Sequence, residues 1–328
     1  MDFKNSSRMG FALALVGLLW SASVSALPTL WGVDEDDGEL FRIDDYTNPA
    51  GTLTSYGQFK WNNNGNIQSV GNDIEAFTIR SDGMAYMILD DDLGGENEPV
   101  LLRFDMNTAS TTQDNVVDVV GNININFDTS DDDLTGIDFD PSTGEMYVLF
   151  EDYNHKGKNR KDRLLRVDAT TGNVLDNDRI SDGFTNKGKE SVKLGEDMVF
   201  HENGSLLVVD QEDDDVYYMD PANAELTGLY DGDSDGGLPG NTYFEALAWD
   251  SENDQLVAFS DNGNFFALIT SGNGSNSSYG GAPGLTDVEG LAFWNSSGGG
   301  GGGIPVPGTA LLLGLGFLAG MRKRRGST

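Results

Sequence analysis

Five passages of this chain repeat one alternation of apolar and other residues: DIEAFTI at 73–79, DLTGIDF at 133–139, GEDMVF at 195–200, FEALAW at 244–249 and DVEGLAF at 287–293. Four of them run into a turn and a second alternating segment: SDG before 84–89, DPSTG before 145–150, ENG before 205–209, and 250–254 before 255–259. Third segments follow as LRFD at 102–105, LRVD at 165–168 and YYMD at 217–220, each opening another turn. A period of two with glycine, asparagine and aspartate between the runs is the pattern of short β-strands, and helix-period apolar runs are almost absent from 27–295.

A repeat of roughly 45–60 residues carrying several strands cannot bury both faces of its own sheet, so it must stack on its neighbours, and radial stacking makes a β-propeller. The fifth passage ends at Trp294 without a second strand of its own. Residues 29–33 and 39–44, the latter holding FRID, supply the missing second and third strands from the other end of the chain. Pairing a C-terminal first strand with N-terminal partners closes a ring and removes its open edge. The sequence therefore predicts an all-β fold, a single β-propeller of five blades over 27–295. A six-bladed ring that uses 58–70 and 123–127 as further strands is the alternative, and a β-sandwich ranks third.

Both ends of the chain read as addresses. Lys4 and Arg8 precede an apolar core at about 10–20, and Val24-Ser25-Ala26 puts small residues where a signal peptidase cuts, so 1–26 is expected to be a signal peptide removed before Leu27. The opposite end begins with a Ser/Gly linker at 296–303, which has nothing to bury and maximal backbone freedom. It leads into 304–328, IPVPGTALLLGLGFLAGMRKRRGST, where an apolar helix at about 308–321 is followed by Arg322, Lys323, Arg324 and Arg325. At 1.5 Å per residue such a helix, begun at Ile304, spans roughly 27 Å, just under the hydrocarbon thickness of a bilayer. The cationic cluster stops it on the cytoplasmic side, leaving the acidic bulk outside.

Together the proline motif Pro305-Val306-Pro307-Gly308, the Gly/Leu-rich helix and the terminal cations resemble the PEP-CTERM sorting signal of Gram-negative bacteria, with Val306 where glutamate usually lies between the prolines. The resemblance covers about 304–325. It implies export, transient residence in the inner membrane, cutting near the prolines by an exosortase, and arrival at the outer surface or in the extracellular matrix.

The chain carries 54 acidic against 20 basic residues and no cysteine. Setting aside the two terminal addresses, the exported part has a net charge of about −39. That argues against nucleic acid as a partner, because phosphate backbones demand positive patches, and it fits cations better. Disulfides are excluded as staples.

Glu75, Glu196, Glu245 and Glu289 share one phase of four of the five repeated passages, and Thr135 takes the fifth slot. First strands line the channel of a propeller, so these carboxylates are expected to meet at one mouth, where their repulsion favours a bound cation such as calcium. The plainer alternative is that each glutamate bonds backbone amides of the next blade. Asp231, Asp233 and Asp235, with Gly236, match the first half of a calcium loop, but Thr242 stands where that loop needs a bidentate glutamate. The other acidic runs read as solvated loops.

Catalytic residues are not legible. His201 sits in a hairpin turn and His155 in a charged loop, and neither belongs to a Ser–His–Asp arrangement. The phrase EGLAF at 289–293 is similar to one in phytase-like and lactonase-like propeller hydrolases. The expected function is a non-enzymatic surface or matrix protein associated with exopolysaccharide or biofilm, its partners being export machinery, signal peptidase, a sorting protease, the inner membrane and polysaccharide. The alternative is a calcium-dependent extracellular hydrolase.

Overall fold

The computed structural model describes residues 28–35, 37–71, 73–90, 99–125, 133–151, 162–182, 195–210, 215–231, 243–268 and 276–295. Residues 1–26, 296–303 and 304–328, expected to be signal peptide, linker and sorting tail with Pro305 to Gly308 and Arg322 to Arg325, lie outside these residues, as do Asp233, Asp235 and the side chain of Asp231. Among the described residues no helix is long and apolar enough to cross a membrane.

The chain opens with β1 (Leu30–Asp34), β2 (Glu39–Ile43) and β3 (Leu53–Asn63), the last turned back on itself by β4 (Asn66–Ser69). The strands β5 (Ile74–Ile79), β6 (Met84–Leu89), β7 (Val100–Asp105) and β8 (Asn115–Asn122) form one antiparallel quartet. The next comprises β9 (Asp133–Phe139), β10 (Met146–Glu151), β11 (Arg163–Val167) and β12 (Val174–Arg179). After the two-residue β13 (Ser181–Asp182) come β14 (Gly195–Phe200), β15 (Leu206–Asp210), β16 (Asp215–Asp220) and β17 (Glu225–Asp231). The last full quartet is β18 (Phe244–Asp250), β19 (Gln255–Ser260), β20 (Asn264–Leu268) and β21 (Ser277–Gly281).

The final strand, β22 (Val288–Phe293), pairs antiparallel with β1 from Leu30↔Phe293 to Asp34↔Val288, so that β22-β1-β2-β3 completes a quartet from the two ends of the chain. Trp294 secures this closure: its amide donates to the Thr29 carbonyl at 2.9 Å, and its own carbonyl accepts from the Trp31 indole at 3.2 Å. The closure expected from the sequence is therefore present. At the outer edge a short parallel pairing, Phe59↔Asn115 to Trp61↔Val117, joins β3 to β8 and merges two quartets into one nine-stranded sheet. At another outer edge the two residues of β13 pair parallel with Glu225 and Leu226, capping the start of β17.

Strand alternation decides how the quartets stack. Leu206 and Val208 on β15 face one neighbour, in a cluster with Tyr147 and Leu149, while Leu207 and Val209 face the other, with Phe244 and Leu256. Phe41 joins Phe259 and Phe265 on one side of β2, and Leu40 joins Phe59, Phe77 and Leu102 on the other. Because both faces of the middle strands are buried, β15 and β19 are almost continuously apolar, whereas the outermost β12 is largely exposed. Inner strands pack side by side in the closed circuit β22, β5, β9, β14, β18 and back to β22. The architecture is all-β and propeller-like. Residues 58–70, weighed above as part of an additional blade, lie on the outer side in β3 and β4, while 123–125 form no strand.

Candidate functional site

All five inner strands are interrupted at the same place. Ile74 pairs Leu89 and Ala76 pairs Ile88, leaving Glu75 as an extra residue; Phe244 and Ala246 flank an extra Glu245 in the same way, and Val288 and Gly290 an extra Glu289. On β14 the pair Glu196 and Asp197 faces a single residue of β15, and on β9 Leu134 and Thr135 face one of β10. Each is a β-bulge, which bends the strand and re-aims the side chain it carries. The shared glutamate phase seen in the sequence is thus a ring of bulges at the start of each inner strand.

Three acidic residues not singled out as site residues in the sequence complete the arrangement. Glu35, in the turn between β1 and β2, has a carboxylate oxygen within 4.8 Å of oxygens on Asp287 and Glu289, and the same limit holds among Glu35, Asp73 and Glu75. The turn is anchored in place: the Glu35 amide donates to the Asp287 carbonyl at 2.8 Å, and Asp34 accepts from the Thr286 amide at 3.2 Å. Glu289 and Glu245 are 7% and 8% exposed, while Glu35, Asp73, Glu75 and Asp287 are half-buried. Burial, reinforced by neighbouring carboxylates, pushes Glu75 up to about 10 and Glu35 up to about 8, and Glu289 well above its ordinary value. Glu245 is likewise pushed up to about 8 by burial and then by Asp287, Asp261 and Glu35, against the pull of the Val288 amide.

Like charges gathered in so dry a place are costly unless protonated or neutralised by a cation. The donor set is all carboxylate oxygen, with neither sulfur nor imidazole, so it suits a hard divalent ion such as calcium rather than zinc or copper. Among the described residues these acidic groups are close enough to hold a metal ion.

Of the four glutamates expected at the mouth, Glu75 and Glu289 lie within coordinating distance of Glu35, and Glu245 lies against the Asp287–Glu289 backbone. Glu196 stands further round the ring; burial and then Glu151, Asp133, Glu245 and Asp162 raise it well above its ordinary value. Thr135 plays the plainer role, its hydroxyl donating to the Gly195 carbonyl of the next inner strand. Asp197 laces β14 to β18, accepting from the amides of Met198 and Leu247 at 2.7 Å each. Asp138 laces three inner strands, accepting from the Thr78 hydroxyl at 2.8 Å and the Phe200 amide at 2.7 Å.

Asp138 yields a pH test. Burial pushes its carboxyl up to about 6, outweighing the Phe200, Phe139 and Thr78 donors that pull it down. A folded-state value above the unfolded one favours the fold at acid pH, and that contribution is lost as pH rises from about 4 through about 6. The loss is at most about 3 kcal/mol. In Asp138→Asn the amide oxygen still accepts from Phe200 and its nitrogen donates to Thr78, whose hydroxyl accepts equally well. Urea unfolding at about pH 4.5 and about pH 7.5 is expected to show the variant gaining on the wild type as pH rises; an unchanged difference would contradict this account.

The other mouth differs in kind. A cavity of about 930 Å³ opens at the far ends of the inner strands, walled by Ile79, Phe139, Phe200, Trp249 and Trp294, with Arg80, Asp140 and Asn203 among its polar lining. His201 stacks on Trp249 at 4.1 Å between ring centroids and accepts from the Asn203 amide, so it serves the β14–β15 turn, as the sequence indicated. Pro28 and Asn295, where the described chain begins and ends, also line this mouth.

Two signals for the missed acids were present in the sequence. Asp73-x-Glu75 and Asp287-x-Glu289 space two carboxylates by two residues, which strand alternation puts on one side. Glu35 had no such signal, because only the pairing of β1 with β22 brings it there.

No known protein family matches the sequence, and no curated protein does. Among solved structures the chain is similar to one from a nidogen–laminin complex, at 14% identity over 80% of this chain and 97% of that one, with a TM-score of 0.47. It is also similar to a protein of unknown function from Bacteroides caccae, at 13% identity over 76% and 72% of the two chains and a TM-score of 0.42. Glutaminyl cyclase from Myxococcus xanthus is similar at 10% identity, over 70% and 89%, with a TM-score of 0.40.

Proposed function

We propose that this chain is an exported, non-enzymatic five-bladed propeller of the cell surface or extracellular matrix, which binds a divalent cation, calcium by preference, at the acidic mouth of its channel. The observation that carries the cation reading is the convergence of Glu35, Asp73, Glu75, Asp287 and Glu289, with oxygens of each trio within 4.8 Å. The blade count is read from the circuit of five inner strands, each the start of an antiparallel run of four strands. Export rests on the signal segment at 1–26 and on the PEP-CTERM-like tail, with Pro305 to Gly308 as the cutting site and Arg322 to Arg325 as the membrane stop. Signal peptidase, an exosortase-type protease and, transiently, the inner membrane are then its processing partners. Matrix polysaccharide is its partner after release, and any further calcium site at Asp231, Asp233 and Asp235 would serve the same setting.

Two measurements test this. Intact mass of the protein recovered from cells and medium is expected to show loss of residues 1–26 and of the tail beyond the proline motif; an uncut chain dissolved in the cytoplasm overturns the export reading. Calcium at about a hundred times its dissociation constant stabilises a fold by about 2.7 kcal/mol. For a domain of this size that is a rise in Tm of roughly 5–10 °C over the chelated protein. Glu289→Gln is expected to reduce the rise, and an unchanged Tm in the wild type overturns the cation reading. Chelator-sensitive hydrolysis of a phosphomonoester or lactone by the same preparation would shift the assignment to the hydrolase alternative, with Glu35 or Glu245 in the range for proton transfer near neutral pH.

A further inference from the structure

We infer that the acidic mouth holds two divalent cations, not one, bridged by the carboxylate of Glu35, and that the pair fastens the ring-closing sheet to its neighbour. The inference rests on the cation-binding reading above and adds its stoichiometry and its bridging residue.

Oxygens bound to one calcium ion lie about 2.3–2.6 Å from it, and hence no more than about 5 Å from one another. The five acids meet that limit as two trios, Glu35–Asp287–Glu289 and Glu35–Asp73–Glu75, with Glu35 common to both. An ion in either trio leaves the other trio's aspartate and glutamate side by side and outside its own coordination sphere. A carboxylate has two oxygens, so Glu35 can give one to each ion, at the separation of roughly 3.5–4 Å usual for paired metals. Two ions bring four positive charges to the five carboxylates of the trios.

A separate observation points into the first trio. Glu245 is 8% exposed, and among the described residues its Oε2 has no hydrogen-bond partner. Its carboxylate lies close to the amide of Val288, between Asp287 and Glu289, on the strand that packs beside its own. A carboxylate oxygen left bare in so buried a place is stabilised by an ion beside it.

The ligands come from distant parts of the chain. Asp287 and Glu289 belong to the β22 end, Glu35 to the β1–β2 turn, and Asp73 and Glu75 to the start of β5. The ion pair therefore ties both partners of the closure, β22 and β1, to the next inner strand.

The test is equilibrium dialysis of the processed protein against calcium, in an Asp233→Asn/Asp235→Asn background that removes the unrelated acidic loop. Two ions per chain are expected. Glu75→Gln and Glu289→Gln should each retain one, and Glu35→Gln should weaken both at least a hundredfold. Melting in chelator guards against misfolding: with a charge removed from the cluster, each variant is expected to melt no lower than the wild type. One ion per chain, or two that survive Glu35→Gln, overturns the bridged pair while leaving cation binding intact. No bound ion overturns both.

Discussion

Gly290→Ala is expected to destabilise the ring by about 3 kcal/mol or more, the upper end of what overpacking a tight site costs. A methyl group on Gly290 would lie 2.7 Å from Cβ and 2.9 Å from Cα of Phe77, and closer still to the Phe77 amide nitrogen. The obstacle is backbone rather than a flexible side chain. Phe77 is held in register with Met87, and Gly290 with Val33, so relief requires two paired sheets to separate where the ring closes. The matching position on β9 is also glycine, Gly136, whose added carbon would meet the Met198 amide at 2.9 Å. Thermal unfolding followed by circular dichroism should show Tm lower by roughly 6–12 °C. Gly228→Ala is the control: its nearest obstacle is the ring edge of Tyr218 at 3.3 Å, which can turn aside. A change below about 1 kcal/mol is expected there, since alanine also restricts the unfolded chain. Equal effects at the two glycines would refute the close-approach argument.

Asp197→Ala is the second large effect, about 2–4 kcal/mol. Asp197 is 2% exposed, and its two oxygens accept from amides on different inner strands, Met198 and Leu247. Removing the carboxylate leaves both amides buried without acceptors, at about 1–3 kcal/mol each. Part of this is offset, because burial holds the Asp197 carboxyl well above its usual range and the charge itself is costly there. Asp197→Asn keeps one acceptor but turns an NH₂ group toward the other amide, so its loss should be intermediate, about 1–2 kcal/mol. Urea unfolding gives the order, wild type above Asn above Ala. An asparagine variant as poor as the alanine one would show that the charge, and not the pair of acceptors, holds β14 to β18.

Much of the fold was legible because strand alternation records which faces are buried. The repeated passages at 73–79, 133–139, 195–200, 244–249 and 287–293 are the inner strands, and 29–33 does pair with the last of them. The outermost strands were not legible. β12 and β21 are largely exposed or half-exposed, so no apolar alternation marks them, and β8 is placed by pairing with β3 and β7.

The site divides along the same line. The common phase of Glu75, Glu196, Glu245 and Glu289 was visible, because equivalent positions in stacked repeats face one channel. The bulges were not visible, since an extra residue in a strand shows only against its partner. Glu35 marks the limit most sharply: its acidic run, Asp34–Asp37, read as a solvated loop, yet Asp34 is buried and Glu35 half-buried, and Glu35 becomes a ligand candidate only because β1 pairs with β22, more than two hundred residues away.

By itself, then, the sequence determined the class of fold, the ring closure and the acidic character of one mouth, since alternation and charge are local properties of the chain. Which carboxylates come within coordinating distance, and which instead stitch one inner strand to the next, was decided only by the tertiary structure. Coordination depends on distances of a few ångströms between segments that the chain does not place side by side until the ring has closed.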